Sequence, residues 1–290
     1  MNKRKIVLLA SALMMVAVLA VGGTLAYCTD TDSAVNTFTV GNVQIVQNEE
    51  ERVKNDDGSF TSTLQNYTDE QMIFPVVGDK GAEADGYHHG KNYIDKIVTV
   101  TVKETSQPAY IRTHIAFPDV LDNGANKYMS SDNILHWNGG SATDTKAAYV
   151  TGDVGGNHWY WDATMTTDWP GNGGPWNSYE ITVGGVPYTV YVATHKEIVE
   201  PGETTAPNLM GVYLDSLVDY KNGAYVDKAG TSFTFPKNEN GVAEFNILVL
   251  SEAVQAEGFP DAVTALDTAF GAVGTYCPFA GGVVVETTLD

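Results

Sequence analysis

Only two cysteines, Cys28 and Cys277, occur in the sequence, so a disulfide scaffold is not what holds this fold together. That count leaves three states open: one bridge between them, free thiols, or pairing between chains. Basic residues are scarce too, with 16 Lys and Arg against 36 Asp and Glu. Three of the 16 (Lys3, Arg4 and Lys5) fall in an N-terminal leader, which leaves 13 basic residues and a net charge of about −23 for the remainder. Nucleic acid and anionic membrane surfaces repel such a chain, and neither is expected as a partner. No second long hydrophobic run follows the leader, so no transmembrane anchor is expected once it is removed. G-x-S-x-G is missing and neither cysteine sits in an activating context, so the serine hydrolase and cysteine protease readings are poor. H-E-x-x-H, the helical zinc-protease pattern, is also missing. "DTDSA", "NDDG" and "NENG" resemble pieces of calcium loops, but none completes the pattern with its distal Glu. No internal repeat is found. No catalytic residue, metal ligand or cofactor is assigned from these motifs.

The leader itself is clear. MNKRK is followed by an apolar run over residues 6–21 and by the small-residue segment Gly22-Gly23-Thr24-Leu25-Ala26. A charged start, a short apolar core and a T-x-A ending specify a cleaved signal peptide, with the cut expected between Ala26 and Tyr27. Lipid attachment at Cys28 would need a small residue before it, and Tyr27 is not small. Residues 27–290 are then expected to form one domain of 264 residues. Hydrophobic residues at 43% and aromatics at 10% are too abundant for a disordered chain.

Period-2 alternation dominates the body. "KIVTVTVKE" (96–104) sets Val98, Val100 and Val102 on one face and Ile97, Thr99 and Thr101 on the other. "AYIRTHIAF" (109–117) alternates likewise, with Ala109, Ile111, Thr113, Ile115 and Phe117 on one side. "YEITVGGVPYTVYVAT" (179–194) reads as a hairpin turning at Gly184-Gly185, and "MGVYLDSLVDY", "TSFTF" and "AEFNILVLSEAV" add further strands. Turn residues every dozen or so positions predict an all-β antiparallel sandwich. "GFPDAVTALDTAFG" (258–271) predicts one short C-terminal helix, with Pro260 and Asp261 in its first turn, Val263, Leu266 and Phe270 on one face, and Gly271 as C-cap.

Residues 118–178 read as a long Gly- and Trp-rich insertion. Its Trp159, Trp161, Trp169 and Trp176 suit two roles: stacking on sugars, as in a carbohydrate-binding adhesin, or forming a satellite core under the loop, which is the favoured reading. Six histidines occur: His88, His89, His114, His136, His158 and His195. "HKE" places His195 and Glu197 on one strand face, where a third ligand from elsewhere would complete a metal site; surface histidines are the plainer expectation. The stretch from the cut site runs almost directly into a strand. Val35, Thr37 and Thr39 oppose Asn36, Phe38 and Val40, and Gly41 allows a bend before Val43 and Ile45. Residues 27–46 are therefore a candidate donor strand, with Val35, Phe38, Val40, Val43 and Ile45 as the assembly residues. Such a strand either pairs within its own sheet or completes a neighbour's edge.

"GGTLAYCTDTDSAVNTFTVGNVQI" resembles the signal-to-mature junction of the TasA/camelysin family, matching at Gly22, Gly23, Thr24, Ala26, Tyr27, Asp30, Asn36, Phe38, Gly41 and Val43. Three body segments are similar as well: "DKIVTVTVKETSQPAYIRTHI", "VEPGETTAPNLMGVYL" and "LSEAVQAEGF". Together they cover about half of the chain after the leader. The resemblance implies a jelly-roll-like sandwich, cut by a SipW-type signal peptidase and secreted to the surface or extracellular matrix of a Gram-positive bacterium. It also implies self-association into a homopolymer, or with related matrix subunits, forming biofilm fibres by donor-strand exchange. Camelysin-like members carry the label of metal-dependent endopeptidase, which makes that activity the alternative. Cys28 departs from the family's junction.

Overall fold

Alternating strands become two stacked sheets in the computed structural model, which describes residues 29–32, 38–40, 43–55, 60–69, 71–76, 92–122, 133–138, 158–166, 176–238 and 240–285. Along the chain run β1 (Thr29–Asp32), β2 (Phe38–Val40), β3 (Ile45–Lys54), β4 (Phe60–Asn66), β5 (Ile94–Val102), β6 (Ala109–Pro118), β7 (Leu135–Asn138) and β8 (Trp159–Tyr160). Then follow β9 (Ser178–Val183), β10 (Val186–His195), β11 (Leu209–Leu214), β12 (Asp219–Lys221), β13 (Ala224–Val226), β14 (Ser232–Phe233), β15 (Leu248–Gln255), α1 (Ala262–Phe270) and β16 (Gly282–Val284). The larger sheet has the order β16-β9-β10-β6-β15-β1-β2, with β8 on the end of β10; the facing sheet has the order β4-β3-β5-β11-β7. A third, small sheet joins β12, β13 and β14. All pairings between these strands are antiparallel. The expected all-β sandwich is present.

The main core lies between the two large sheets. Val98, Val100 and Val102 of β5 meet Ile111, Ile115 and Phe117 of β6 there, as their alternation predicts. The β9–β10 hairpin also forms as read: Val183 pairs with Val186, and Gly184 and Gly185 take φ of 58° and 82°, the left-handed pair a two-residue hairpin turn requires.

β6 is buried at all ten positions, not only along its apolar face. Its other face carries Tyr110, Arg112, His114 and Ala116, and a further layer covers it. α1 packs over Tyr110 and Val254 through Ala262, Ala265 and Leu266, while Phe279, Cys277 and Val284 cover Ala116, Val190 and Leu250. The helix begins later than expected. Asp261 is its N-cap, its carboxylate accepting the Thr264 N–H at 2.8 Å, and the buried stripe is Ala262, Ala265 and Leu266 in place of Val263, Leu266 and Phe270. The cap consumes the Asp261 side chain, so the first helical turn starts after it. Gly271 closes the helix at φ 101°, its N–H donating to the Asp267 carbonyl.

The region 118–178 departs from its reading as a loop with a satellite core. Its described parts supply β7, an edge of the smaller sheet, and β8; Trp137, Trp159, Trp161 and Trp176 all belong to the main core. Trp137 stacks on Phe117 at 5.2 Å and also meets Trp161 and Tyr191 at 5.2 Å. Large rings fill the space between the sheets better than they would shield a loop, because that space offers apolar partners on every side.

Candidate functional site

The N-terminal residues divide between the two sheets. β1 lies antiparallel on the outer edge of β15, with Thr29 opposite Val254 and Asp32 opposite Ser251. β2 turns back on β1 and forms the last strand of that sheet, with Phe38 opposite Thr31 and Val40 opposite Thr29. Val43 and Ile45, by contrast, are fully buried in the main core, and Ile45 opens β3 in the other sheet opposite Val102. The start of β3 is pinned: Gln44 donates its N–H to Ser106 Oγ at 2.8 Å, and its carbonyl accepts from the Ser106 hydroxyl and the Lys103 N–H, both at 2.9 Å. A continuous assembly strand through Val43 and Ile45 is therefore replaced by a body strand preceded by an edge hairpin. Val35, Ala26, Tyr27 and Cys28 lie outside the described residues.

β15 is held unequally on its two sides. All eight of its residues pair with β6, whereas β1 covers only Ser251 to Val254. Beyond β1, Gln47 reaches over from β3: its amide donates to the Val249 carbonyl at 3.3 Å and its side-chain carbonyl accepts from the Ser251 hydroxyl at 2.9 Å. β1 itself reads Thr-Asp-Thr-Asp, with no large apolar side chain. It meets β15 through the main-chain ladder from Thr29 to Asp32.

Cys277 sits beside β9 and β16, near the opposite border of the same sheet, where its thiol donates to the Phe279 carbonyl at 3.7 Å. Burial pushes that thiol above its ordinary pKa, outweighing the hydrogen bond, so it is a poor nucleophile.

The described histidines take three different settings. His114 is enclosed between Tyr179 Oη at 3.0 Å and Glu252 at 3.3 Å. His136 stacks on Tyr213 and lies 3.3 Å from Asp215. His195 and Glu197 do meet a third group, His158, which precedes β8 and is brought alongside by the pairing of Trp159 with His195. Burial lowers the His195 pKa, outweighing the opposing pull of Glu197. His88 and His89 lie outside the described residues.

Trp159, Trp161 and Trp176 are buried and present no face to a sugar, which removes the adhesin reading for these three; Trp169 lies outside the described residues. Among the described residues no helix is long and apolar enough to cross a membrane. No protein-family model, curated protein or solved structure matches the chain.

Proposed function

We propose that the chain is a secreted structural protein of the TasA/camelysin kind, cut at the Ala26–Tyr27 junction and assembled into fibres by exchange of its N-terminal hairpin. One observation carries the reading: β1 and β2 lie at the border of the eight-stranded sheet, while β3, whose start is pinned at Gln44, belongs to the other sheet. Release of the hairpin breaks the β1–β15 ladder and leaves the pairing of β3 with β5 in place. The vacated edge accepts the same segment from a neighbour, and because donor and displaced strand are identical, the main-chain hydrogen bonds are regained one for one. The resulting contact is head-to-tail and does not close, which is the geometry of a filament. No catalytic residue is required by this reading. The endopeptidase alternative would draw on His158, His195 and Glu197 as ligands of a hydrolytic ion, and chelator-sensitive casein cleavage is its signature.

A covalent lock separates exchange from other modes of assembly. Asp30 and Ala253 are direct partners across the β1–β15 ladder, within the Cα reach of a disulfide. In a chain with Cys28→Ser and Cys277→Ser, the pair Asp30→Cys and Ala253→Cys should stay monomeric when oxidised and form fibres after reduction, seen by light scattering and electron microscopy. Equal assembly of both forms, or intact fibre formation by a chain lacking residues 27–40, would rule exchange out.

Charge sets the rate. With about −23 charges on the chain after the leader, two subunits repel at low salt. Raising ionic strength from about 0.01 M to about 0.15 M shortens the screening length from roughly 30 Å to 8 Å. Assembly should then quicken several-fold in a turbidity assay, and a salt-independent rate would contradict association of whole acidic bodies.

A further inference from the structure

We infer that His158, His195 and Glu197 form a binding site for one borderline divalent transition ion, zinc or copper(II) in chemical class, which clasps β8 to the end of β10. The register of the sheet builds the site. Thr194 pairs with Tyr160 and His195 with Trp159, and the Lys196 N–H donates to the His158 carbonyl at 2.9 Å, so His158 is carried one step further along the same ladder. The two imidazole rings lie nearly parallel, 6° apart in plane and 6.1 Å between centres. Glu197 Oε2 stands 3.5 Å from His158 Nδ1 and 3.8 Å from His195 Nδ1. One ligand atom from each of the three residues lies within 4.8 Å of the others.

Those separations suit an ion. Two ligand atoms held at 2.0–2.1 Å in a tetrahedral shell stand about 3.4 Å apart, so a few tenths of an ångström to about 1.5 Å of closure completes the set. The groups able to move are the right ones: the Glu197 side chain is 58% exposed and that of His158 25%. His195 is held by edge-on packing against Trp159 at 4.8 Å; its Nδ1 bonds the Glu197 carbonyl at 2.9 Å, and ligation through Nδ1 replaces that bond, the ring proton then residing on Nε2. Two imidazoles and one carboxylate select zinc, copper(II) or nickel over calcium or magnesium, which prefer all-oxygen shells. The physical consequence lies in the fold: β8 is only two residues long, yet Trp159 within it belongs to the main core, so an ion spanning His158 and His195 fastens a short strand on which core packing depends.

The test uses the full chain after the leader, stripped with chelator and titrated with zinc chloride in a calorimeter. Wild type should bind one equivalent at this site with micromolar or tighter affinity, and its melting temperature should rise on loading. Substituting cobalt(II) should give the visible bands of a four- or five-coordinate centre. His158→Ala and Glu197→Gln change side chains exposed enough to leave folding intact; each should weaken binding at least tenfold and abolish the rise in melting temperature. The assignment is overturned by an absence of binding at tens of micromolar zinc, or by binding and thermal shift unchanged in both variants, which would place the ion elsewhere.

Discussion

Replacing Arg112 with alanine is expected to cost the fold about 3–5 kcal/mol, read as a fall of roughly 1–2 M in the urea midpoint. Arg112 is 2% exposed and uses its whole guanidinium: Nε donates to Glu252 at 2.6 Å, one terminal nitrogen to Asp267 at 2.8 Å, and the other to the Gly271 carbonyl at 2.9 Å and the Tyr276 hydroxyl at 2.6 Å. Burial works against its charge, and Glu252, Tyr276 and Asp267 together outweigh burial. Truncation would strand the Glu252 carboxylate in the interior with only His114 and Tyr276 beside it, and would release the end of α1. Most of the loss therefore comes from the group left behind. A midpoint within about 0.3 M of wild type would mean that the outer layer contributes little to cooperative folding.

The same network predicts the acid response. Burial alone would raise the Glu252 carboxyl, but the charges and hydrogen bonds of His114, Arg112 and Tyr276 prevail and hold it at about 2, below its ordinary 4.5. A carboxyl depressed by folding stabilises the native state fully above its unfolded value, and that contribution is lost as pH falls from 4.5 toward about 2. The loss is on the order of 3 kcal/mol, at 1.36 kcal/mol per unit. Glu252→Gln keeps an acceptor for Arg112 and lacks the titrating group, so its urea midpoint should change less than that of wild type over this window. A wild-type midpoint flat from pH 4.5 to 2 would contradict the assignment.

Trp161→Ala should destabilise the whole domain, by about 3–5 kcal/mol. Trp161 is fully buried and packs against Trp137 at 5.2 Å and Trp176 at 5.9 Å, in the same cluster as Val98, Ile115 and Leu209 from the body strands. Were these rings a satellite under a loop, the substitution would loosen residues 118–178 and leave the global transition where it was. Urea unfolding followed by far-ultraviolet dichroism separates the two outcomes, since the strand signal reports the body and not the indoles.

Short-range patterns were legible wherever one residue's neighbours decide its environment. The alternation of 96–102, the Gly184-Gly185 turn and the presence of a C-terminal helix all follow from local geometry, and all are present. The destination of β1 was not legible, because its partner β15 lies more than two hundred residues further along the chain. The His158 grouping was half legible: "HKE" announces His195 and Glu197, and no local signal announces that β8 will bring a histidine 37 positions upstream alongside them.

Arg112 and His114 show where tertiary structure took over. In isolation their alternation with Ile111, Thr113 and Ile115 describes a strand with one wet face. α1 and residues 272–284 cover that face, and burial is tolerable because Glu252, Asp267, Tyr276 and Tyr179 arrive from distant segments to meet each charge and ring nitrogen. The indoles of 118–178 followed the same logic, drawn into the gap between sheets that their own segment does not build. Period, turn chemistry and charge are properties of neighbours in the chain, and they settled the all-β class and the strand-forming character of the N-terminal region. Which faces are dry, which edge β1 covers and which side chains share a ligand shell depend on how separate strands stack, and stacking is set by the complementary shapes of surfaces that no single stretch contains.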